Sequence, residues 1–475
     1  MARHGVYVSE QATSVGVPVV AESGIPFVIG AAPIQSAERP GKIGEPILCT
    51  GLEEARAKLG YSDDWKNYNL CEFMDSHFNL YQCQPVIFVN LLDPATMNQS
   101  VAATDLDLVN HKVELPFETI DDSSLVVKKQ GGSGDALVKD TDYAVIYKDD
   151  KCYVEVLSGG SAYTDQKLNI AYKKVKPEMV DGTKVATNME SIDRCMGNLG
   201  IVPDLVCSPG FSMEPATAAA ITAKAGNING MFKAKPLIDI STKSDGGATT
   251  YDSVAALKSA NNFVDEDQIL CWPMMKLGEK VYHYSTQLAG RMASVDTGND
   301  GCPYESPSNK PLKCDSMVLD SGEEVNLTHA QANILNANGI VTALNFMGGL
   351  VAWGNYTACY PVNTDVKDFM IPISRMFSWV GSTLIKTFWH KLDKPQNRRL
   401  VDSIIDTCNI WLNGLVGAEY VLGARIEFKE EENPLTNLMA GIIKVHIYIT
   451  PPSPMQELGF VLEYDANYVT LALAG

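Results

Sequence analysis

A chain of 475 residues, 45% hydrophobic and 20% charged, is long enough for about three domains with separate cores and carries no low-complexity tract. Its formal net charge of -19 argues against a nucleic-acid binder, which presents a basic face to phosphates, and favours solubility at high concentration. Eleven cysteines, an odd number without paired spacing, fit reduced thiols of a cytoplasm better than a disulfide framework.

Met1 to Gly5 run straight into the strand-like Val6, Tyr7 and Val8, without the apolar core of a signal peptide. Between residues 24 and 92 short strands and helices mix. Phe27 to Gly30 and Pro85 to Asn90 read as buried strands, and Leu52 to Leu59 and Asn69 to Leu80 as helices. From about Ala95 the pattern turns to β-hairpins: Ser124 to Lys129, a Gly131 to Gly134 turn, then Tyr143 to Tyr147 and Cys152 to Leu157 around Asp149-Asp150. This is the signature of an inserted β domain.

After Thr187 helices and strands alternate. Helices are expected near Asn188 to Leu199, Pro215 to Ile228 and Ser253 to Asn262, and strands at Asp204 to Cys207, Pro236 to Ile240 and Gln268 to Trp272. That rhythm implies a parallel sheet covered by helices. Asp296 to Pro311 reads as a surface loop, and the charge-free Ala330 to Thr364 as a buried strand-loop segment, because its asparagines break any membrane span. Two amphipathic helices follow, Pro372 to His390 and Gln396 to Asn413, the second stopped by Gly414. Three period-two runs end the chain: Ile443 to Ile449, Leu458 to Tyr464 and Val469 to Leu473. Apolar strand patterns at both ends need a sheet edge to join, which suggests copies stitched together by exchanged strands.

Chemistry is sparse. His283, beside Tyr282 and Tyr284, has no Gly-x-Ser-x-Gly turn near it and reads as a packed or surface strand residue. There is no HExxH and no CxxC pair, and Cys302 and Cys314 stand in a loop without matching partners. Gly131, Gly132 and Gly134 lack the Lys-Ser/Thr of a phosphate loop. No catalytic, cofactor or metal site is expected. One basic cluster stands out in an acidic chain: Lys391, Lys394, Arg398 and Arg399, between the two C-terminal helices.

Three patches carry a family resemblance. They are Gly5 to Val8 with Phe27-Val28-Ile29-Gly30-Ala31-Ala32-Pro33; Leu335-Asn336-Ala337-Asn338-Gly339-Ile340 with Gly348 to Thr357; and Thr450-Pro451-Pro452-Ser453-Pro454-Met455-Gln456-Glu457-Leu458. Over nearly its whole length the chain resembles the contractile tail sheath proteins of bacteriophages, phage-tail-like bacteriocins and injection systems. Tyr356 stands where the middle motif has arginine. The resemblance implies an α/β and β multidomain fold: a subtilisin-like α/β middle domain, an inserted β-sandwich, and an α+β C-terminal domain with exchanged terminal strands. The expected divisions are an N-terminal arm (1–22), an α/β part of the core (23–94), the insertion (95–183), the α/β domain (184–364), the C-terminal domain (365–464) and a C-terminal arm (465–475).

It further implies a structural, non-enzymatic subunit of stacked six-fold rings wound helically around an inner tube, meeting baseplate and tail terminator proteins. Such a sheath contracts from a metastable extended state and drives the tube through a target envelope. Neither a cofactor, a nucleic acid nor direct membrane insertion is expected. The setting would be a virion tail or tail-like particle, assembled in a bacterial cytoplasm. Val6, Tyr7, Val8, Val469, Leu471 and Leu473 are the expected inter-subunit arm residues, Val445, Ile447, Ile449, Phe460 and Leu462 the acceptor sheet. Lys391, Lys394, Arg398 and Arg399 read either as a solvated helix start or as cations facing an acidic tube. An α/β hydrolase with a β appendage and a single-ring adaptor are the alternative readings.

Overall fold

The computed structural model describes residues 18–473; Val6, Tyr7 and Val8 lie outside them, as does the side chain of Leu471. Strand β1 (Pro26–Gly30) is buried at every position. It has parallel neighbours on both sides, so it reads as an unbroken apolar run. Strand β2 (Ile47–Cys49) and helix α1 (Leu52–Leu59) follow. Next come α2 (Asn69–Met74), continued by a π-helical stretch over Asp75–Tyr81, and β3 (Val86–Asn90).

Six strands then leave the core: β4 (Asn98–Asp107), β5 (Lys112–Pro116), β6 (Val126–Lys129), β7 (Tyr143–Lys148), β8 (Lys151–Val156) and β9 (Lys167–Val175). They form two antiparallel three-stranded sheets, ordered β4-β9-β6 and β5-β8-β7. Inward-facing Val113, Leu115, Val127, Val154, Leu168 and Ile170 fill the space between them. Asp149 and Asp150 turn the β7–β8 hairpin with φ of 52° and 53°, a left-handed pair that aspartate tolerates.

The chain re-enters the core through α3 (Gly182–Asn188), α4 (Arg194–Leu199), β10 (Leu205–Cys207), α5 (Pro215–Ala225), β11 (Lys235–Asp239), α6 (Tyr251–Ala260) and β12 (Ile269–Cys271). A small antiparallel sheet, ordered β14-β13-β15-β16, uses β13 (Met274–Leu277), β14 (Lys280–Tyr282), β15 (Ser316–Val318) and β16 (Glu324–Val325), with α7 (Tyr284–Gly298) between its second and third strands in sequence. Helix α8 (His329–Asn336) leads to β17 (Ile340–Asn345) and β18 (Leu350–Trp353).

The main sheet thus has eight strands, ordered β18-β17-β12-β11-β10-β1-β3-β2, parallel from β17 to β3 with an antiparallel strand at each edge. Alternation sorts its two faces. Phe27, Ile29, Ile87 and Val89 pack with Val185, Ile221, Val254 and Leu335 of the helices on one side. Val28, Val86 and Phe88 pack with Leu59, Phe73, Leu288 and Met292 on the other. The C-terminal part contains α9 (Val366–Phe369), α10 (Ile371–Phe388), α11 (Arg398–Gly417), β19 (Gly423–Glu427), α12 (Leu435–Met439), β20 (His446–Thr450) and α13 (Asn467–Leu473). The expected mixed α/β multidomain architecture is present.

Four expectations need correction. Helix α11 continues through Gly414 to Gly417, since Leu415 behind it is buried and outweighs the glycine. His283 is no strand residue; it is the residue preceding α7. Of the expected acceptor residues, Val445 precedes β20, and Phe460 and Leu462 belong to no sheet, residues 451–465 making no ladder contact. Val469 and Leu473 lie in helix α13, not in a strand. A β-patterned run without a neighbouring strand satisfies its backbone groups locally, and a helix is the way to do so.

Candidate functional site

The edge of a parallel sheet beyond the strand carboxyl ends is where open α/β folds place ligands. Here that edge is filled. Asp239, the last residue of β11, accepts hydrogen bonds from the Ser285 hydroxyl (2.5 Å), the Ser285 amide (2.8 Å) and the Ser212 hydroxyl (3.3 Å). Burial pushes its carboxyl above the usual range, with the His283 charge working in the opposite direction. His283 pairs through Nδ1 with Glu72 Oε2 at 2.7 Å, and its amide donates to Glu72 Oε1 at 2.7 Å. Burial pulls the imidazole down, the Glu72 carboxylate outweighs it, and the ring ends pushed up to about 9. The histidine is therefore an ion-pair cation at neutral pH, and the serine hydroxyls point at a carboxylate. Among the described residues no serine hydroxyl is hydrogen-bonded to a histidine, so the hydrolase geometry is not assembled. Cys302 lies against Met376 and Cys314 against Met275. Among the described residues no three His, Cys, Asp or Glu side chains are grouped to hold a metal ion.

The C-terminal part is built differently. Helices α10 and α11 pack as a pair through Met376, Trp379, Val380, Leu412 and Leu415, and Ala424, Ile447 and Ile449 of β19 and β20 lie on the same cluster. The first described residues run along α10. The Val19 amide donates to Thr387 Oγ1 and the Ala21 amide to Thr383 Oγ1, each at 3.0 Å, and Trp379 Nε1 donates to the Ala21 carbonyl at 2.7 Å. Two extended residues advance about 6.6 Å and four helical ones about 6 Å, so the two threonines match every second amide of the segment.

Under this pair sits a buried charge junction. Arg375 of α10 donates to both carboxylate oxygens of Asp296 and to Asp204 Oδ2 at 2.7 Å. Ser23 donates to Asp296 at 3.1 Å, and the Ile25 amide donates to Asp204 Oδ1 at 2.7 Å. One guanidinium thus ties α10, α7, the entry to β10 and the incoming N-terminal segment together. Burial raises the Asp296 carboxyl to about 6 against the pull of Arg375. At the preceding residue of α10, Ser374 Oγ accepts from Lys235 at 2.7 Å, and Lys235 also donates to Asp267. Helix α10 is bolted to the core at its N-terminal end. No sequence pattern marked these residues, because a buried charge announces itself only through its partners.

The expected site residues fall in three places. Ile447 and Ile449 are in β20, which pairs only with β19 in antiparallel register, Ile426 opposite Ile447. Among the described residues both outer edges of this two-stranded sheet are unpaired. The tail is exposed from Met455 to Val469: Phe460 is 81% and Leu462 95% accessible. Lys391, Lys394, Arg398 and Arg399 gather in the α10–α11 connection and the first turn of α11. Lys391 reaches Ser403 Oγ at 3.3 Å, and Arg398, 94% exposed, comes within 3.7 Å of Asp402. The middle motif is structural. Gly339 has φ of 67° and a Cβ there would lie 2.4 Å from the Thr357 carbonyl; at Gly354 it would lie 2.7 Å from Asn336 Oδ1.

Comparison with known proteins agrees with this geometry. The chain is 23% identical to the tail sheath protein of Burkholderia phage BcepMu, over 99% of this chain and 98% of that protein. It is 27% identical to the major tail sheath protein of Serratia phage KSP20 over 47% of this chain and 57% of that protein. Among solved structures it superposes on the sheath complex of an extracellular contractile injection system (PVC) in its contracted state, with a TM-score of 0.59 and 12% identity, covering 98% of this chain and 99% of that one. It also superposes on the sheath tail protein of Desulfitobacterium hafniense, with a TM-score of 0.52 and 14% identity, covering 89% and 93%. No family model matches. The similarity to tail sheath proteins read from three motifs therefore spans the whole chain, and the fold is that of the sheath structures.

Proposed function

We propose that this chain is a structural subunit of a contractile tail sheath, a component of a phage tail or tail-like particle. The observation that carries the reading is the similarity to the BcepMu tail sheath protein across 98% of that protein. The finer picture is a set of stacked six-fold rings wound helically around an inner tube, held by a baseplate and a terminator, with an α/β core of subtilisin-like topology. No nucleotide is spent in the stroke. Subunits assemble in an extended, higher-energy array and relax into a contracted one. Each interface needs only a small gain, because about 1.4 kcal/mol is a factor of ten and the gains add over many copies.

The arms keep the polymer whole while side-chain interfaces repack. In this reading Val6, Tyr7 and Val8 from one copy, and Val469, Leu471 and Leu473 from another, add strands to the free edges of β19 and β20. Helix α13 has seven residues. An isolated helix that short is marginal in water, so converting it to a strand costs little. The basic cluster of Lys391, Lys394, Arg398 and Arg399 would face an acidic tube through contacts screened by salt over roughly 10 Å.

Removing residues 468–475 tests the arms. Electron microscopy of the truncated chain with tubes should show no full-length sheaths, while the monomer's circular dichroism is unchanged. Sheaths that still form would sink the exchange reading, and isolated rings from the intact chain would favour a single-ring adaptor.

A further inference from the structure

Among the described residues one hydrogen bond joins the C-terminal tail beyond β20 to the rest of its own subunit, and its partner is not in the C-terminal part. Tyr356 donates its hydroxyl hydrogen to Gln456 Oε1 at 2.6 Å, across 100 positions of sequence. Among the described residues this is the last hydrogen bond from the tail to the body; those further along join Asp465 and Ala466 to Asn467, Tyr468 and Val469 within the tail. The bond is solvent-exposed, and it lies within an exposed run that starts at Met455 (77% accessible) and continues past Leu458 (61%).

Tyr356 is well held. Its ring packs on Tyr360, with centroids 4.3 Å apart, and on Phe369 at 5.1 Å. Its backbone forms an antiparallel bridge with Met370, and the flanking bonds run from the Thr357 amide to the Phe369 carbonyl and from the Ile371 amide to the Asn355 carbonyl, each 2.8 Å. Ile371 is the first residue of α10. The tyrosine therefore sits on the joint between the α/β core and the C-terminal helices. Burial pushes the phenol further above its already alkaline range.

The tail reaches Tyr356 along a defined path. Pro451, Pro452 and Pro454 fix three φ angles. Pro452 to Met455 and the loop from Tyr304 to Lys310 line a cleft of about 330 Å³. That loop is itself pinned beside Tyr356, Ser306 donating to Asn355 and the Gly354 amide donating to Ser308 Oγ at 3.1 Å.

We infer that Tyr356 is a positioning residue for the C-terminal arm: its bond to Gln456 fixes the point and direction from which the arm leaves, and ties both to the core of the arm's own subunit. This rests on the sheath reading only for its consequence, which is that the arm arrives at a neighbour's sheet with a set offset. A tail departing straight from β20 would instead sweep freely about Thr450.

The experiment uses the full chain in a Cys314→Ser background, with a nitroxide on Leu458→Cys or on Leu462→Cys. Paramagnetic resonance should show the label at 458 slower than that at 462. Tyr356→Phe, which keeps the aromatic packing, and Gln456→Ala should each bring the 458 label close to the mobility at 462. Gln456→Glu, which keeps the acceptor, should leave it restrained. Equal mobility at both positions in the unsubstituted background, or a 458 label indifferent to Tyr356→Phe and Gln456→Ala, would overturn the assignment. In parallel, the concentration needed to sheathe tubes, read by electron microscopy, should rise about fivefold in Tyr356→Phe, the loss of one neutral hydrogen bond. If the label responds as expected but the unsubstituted chain never sheathes tubes, the positioning role stands and the sheath reading falls.

Discussion

His77 is fully buried in the π-helical stretch, its ring stacked on Phe73 with centroids 4.1 Å apart, and burial pulls its imidazole down to about 3. His283 is the opposite case, held up at about 9 by Glu72. The signs follow by linkage. Below an unfolded pKa of about 6.5 the unfolded chain takes a proton that native His77 refuses, so stability falls as pH drops from about 6.5 toward about 3. The His283 contribution is fully present below about 6.5 and is lost as pH rises through about 9. Urea midpoints should therefore fall on both sides of about pH 6.5. His283→Gln should flatten the alkaline limb by roughly 1–3 kcal/mol, and His77→Leu should flatten the acid one. Arg375 supplies a sharper test. Arg375→Ala strands Asp296 and Asp204 in the interior and should cost about 3–5 kcal/mol. Arg375→Ala combined with Asp296→Asn should recover part of that loss, measured by denaturant unfolding. Equal losses in the single and double variants would show that an unpaired Asp296 charge is not the source of the loss.

At the scale of elements, what the sequence displayed was set by whether an element keeps a polar face. Helices α1, α10 and α11 have one, and their apolar spacing was legible. Helix α7 was missed. It is buried at Tyr284 to Gly290 and again at Met292, Ala293 and Asp296, so no solvent stripe marks its period. Three of its buried polar residues, Ser285, Gln287 and Asp296, are satisfied by Asp239, Tyr81 and Arg375, partners drawn from distant parts of the chain, while the Thr286 hydroxyl has no partner among the described residues. Strand β19 was missed for another reason: Arg425 and Glu427 lie on its exposed side and pair with each other at 2.8 Å, so the run Gly-Ala-Arg-Ile-Glu carries little apolar signal. The tail shows the converse error. Its period-two pattern was legible, but a strand pattern specifies a demand for a ladder, not its location. The candidate site shared this limit, since the Arg375 junction and the Tyr356 contact join residues 79 and 100 positions apart.

The whole molecule is organised around an excursion that begins and ends at one point. Asn98 lies opposite Val175 in the β4–β9 ladder, and the Lys176 amide donates to the Met97 carbonyl at 3.0 Å. Opposed Cα atoms in such a ladder are about 5 Å apart, so a two-residue turn can bridge the gap if the six strands are removed. Those strands bring their own buried cluster, separate from both faces of the main sheet. The separation leaks near the junction: Phe117, Ile120 and Val175 belong to the core cluster, Tyr147 packs against it, and Phe117 packs edge-on to Tyr68 with ring centroids 6.2 Å apart. A chain lacking residues 98–175, closed by Asn-Gly, should therefore fold with its helical circular dichroism intact but lose about 3–5 kcal/mol, as when a buried phenylalanine is removed. Tyr68→Ser in the shortened chain should cost much less than in the full chain, because the ring it serves is gone. Excised residues 96–177 should unfold cooperatively as a β protein, with Phe117→Ser improving their solubility. If the shortened chain instead fails to fold even with Tyr68 replaced, the insertion would be part of the core's folding unit.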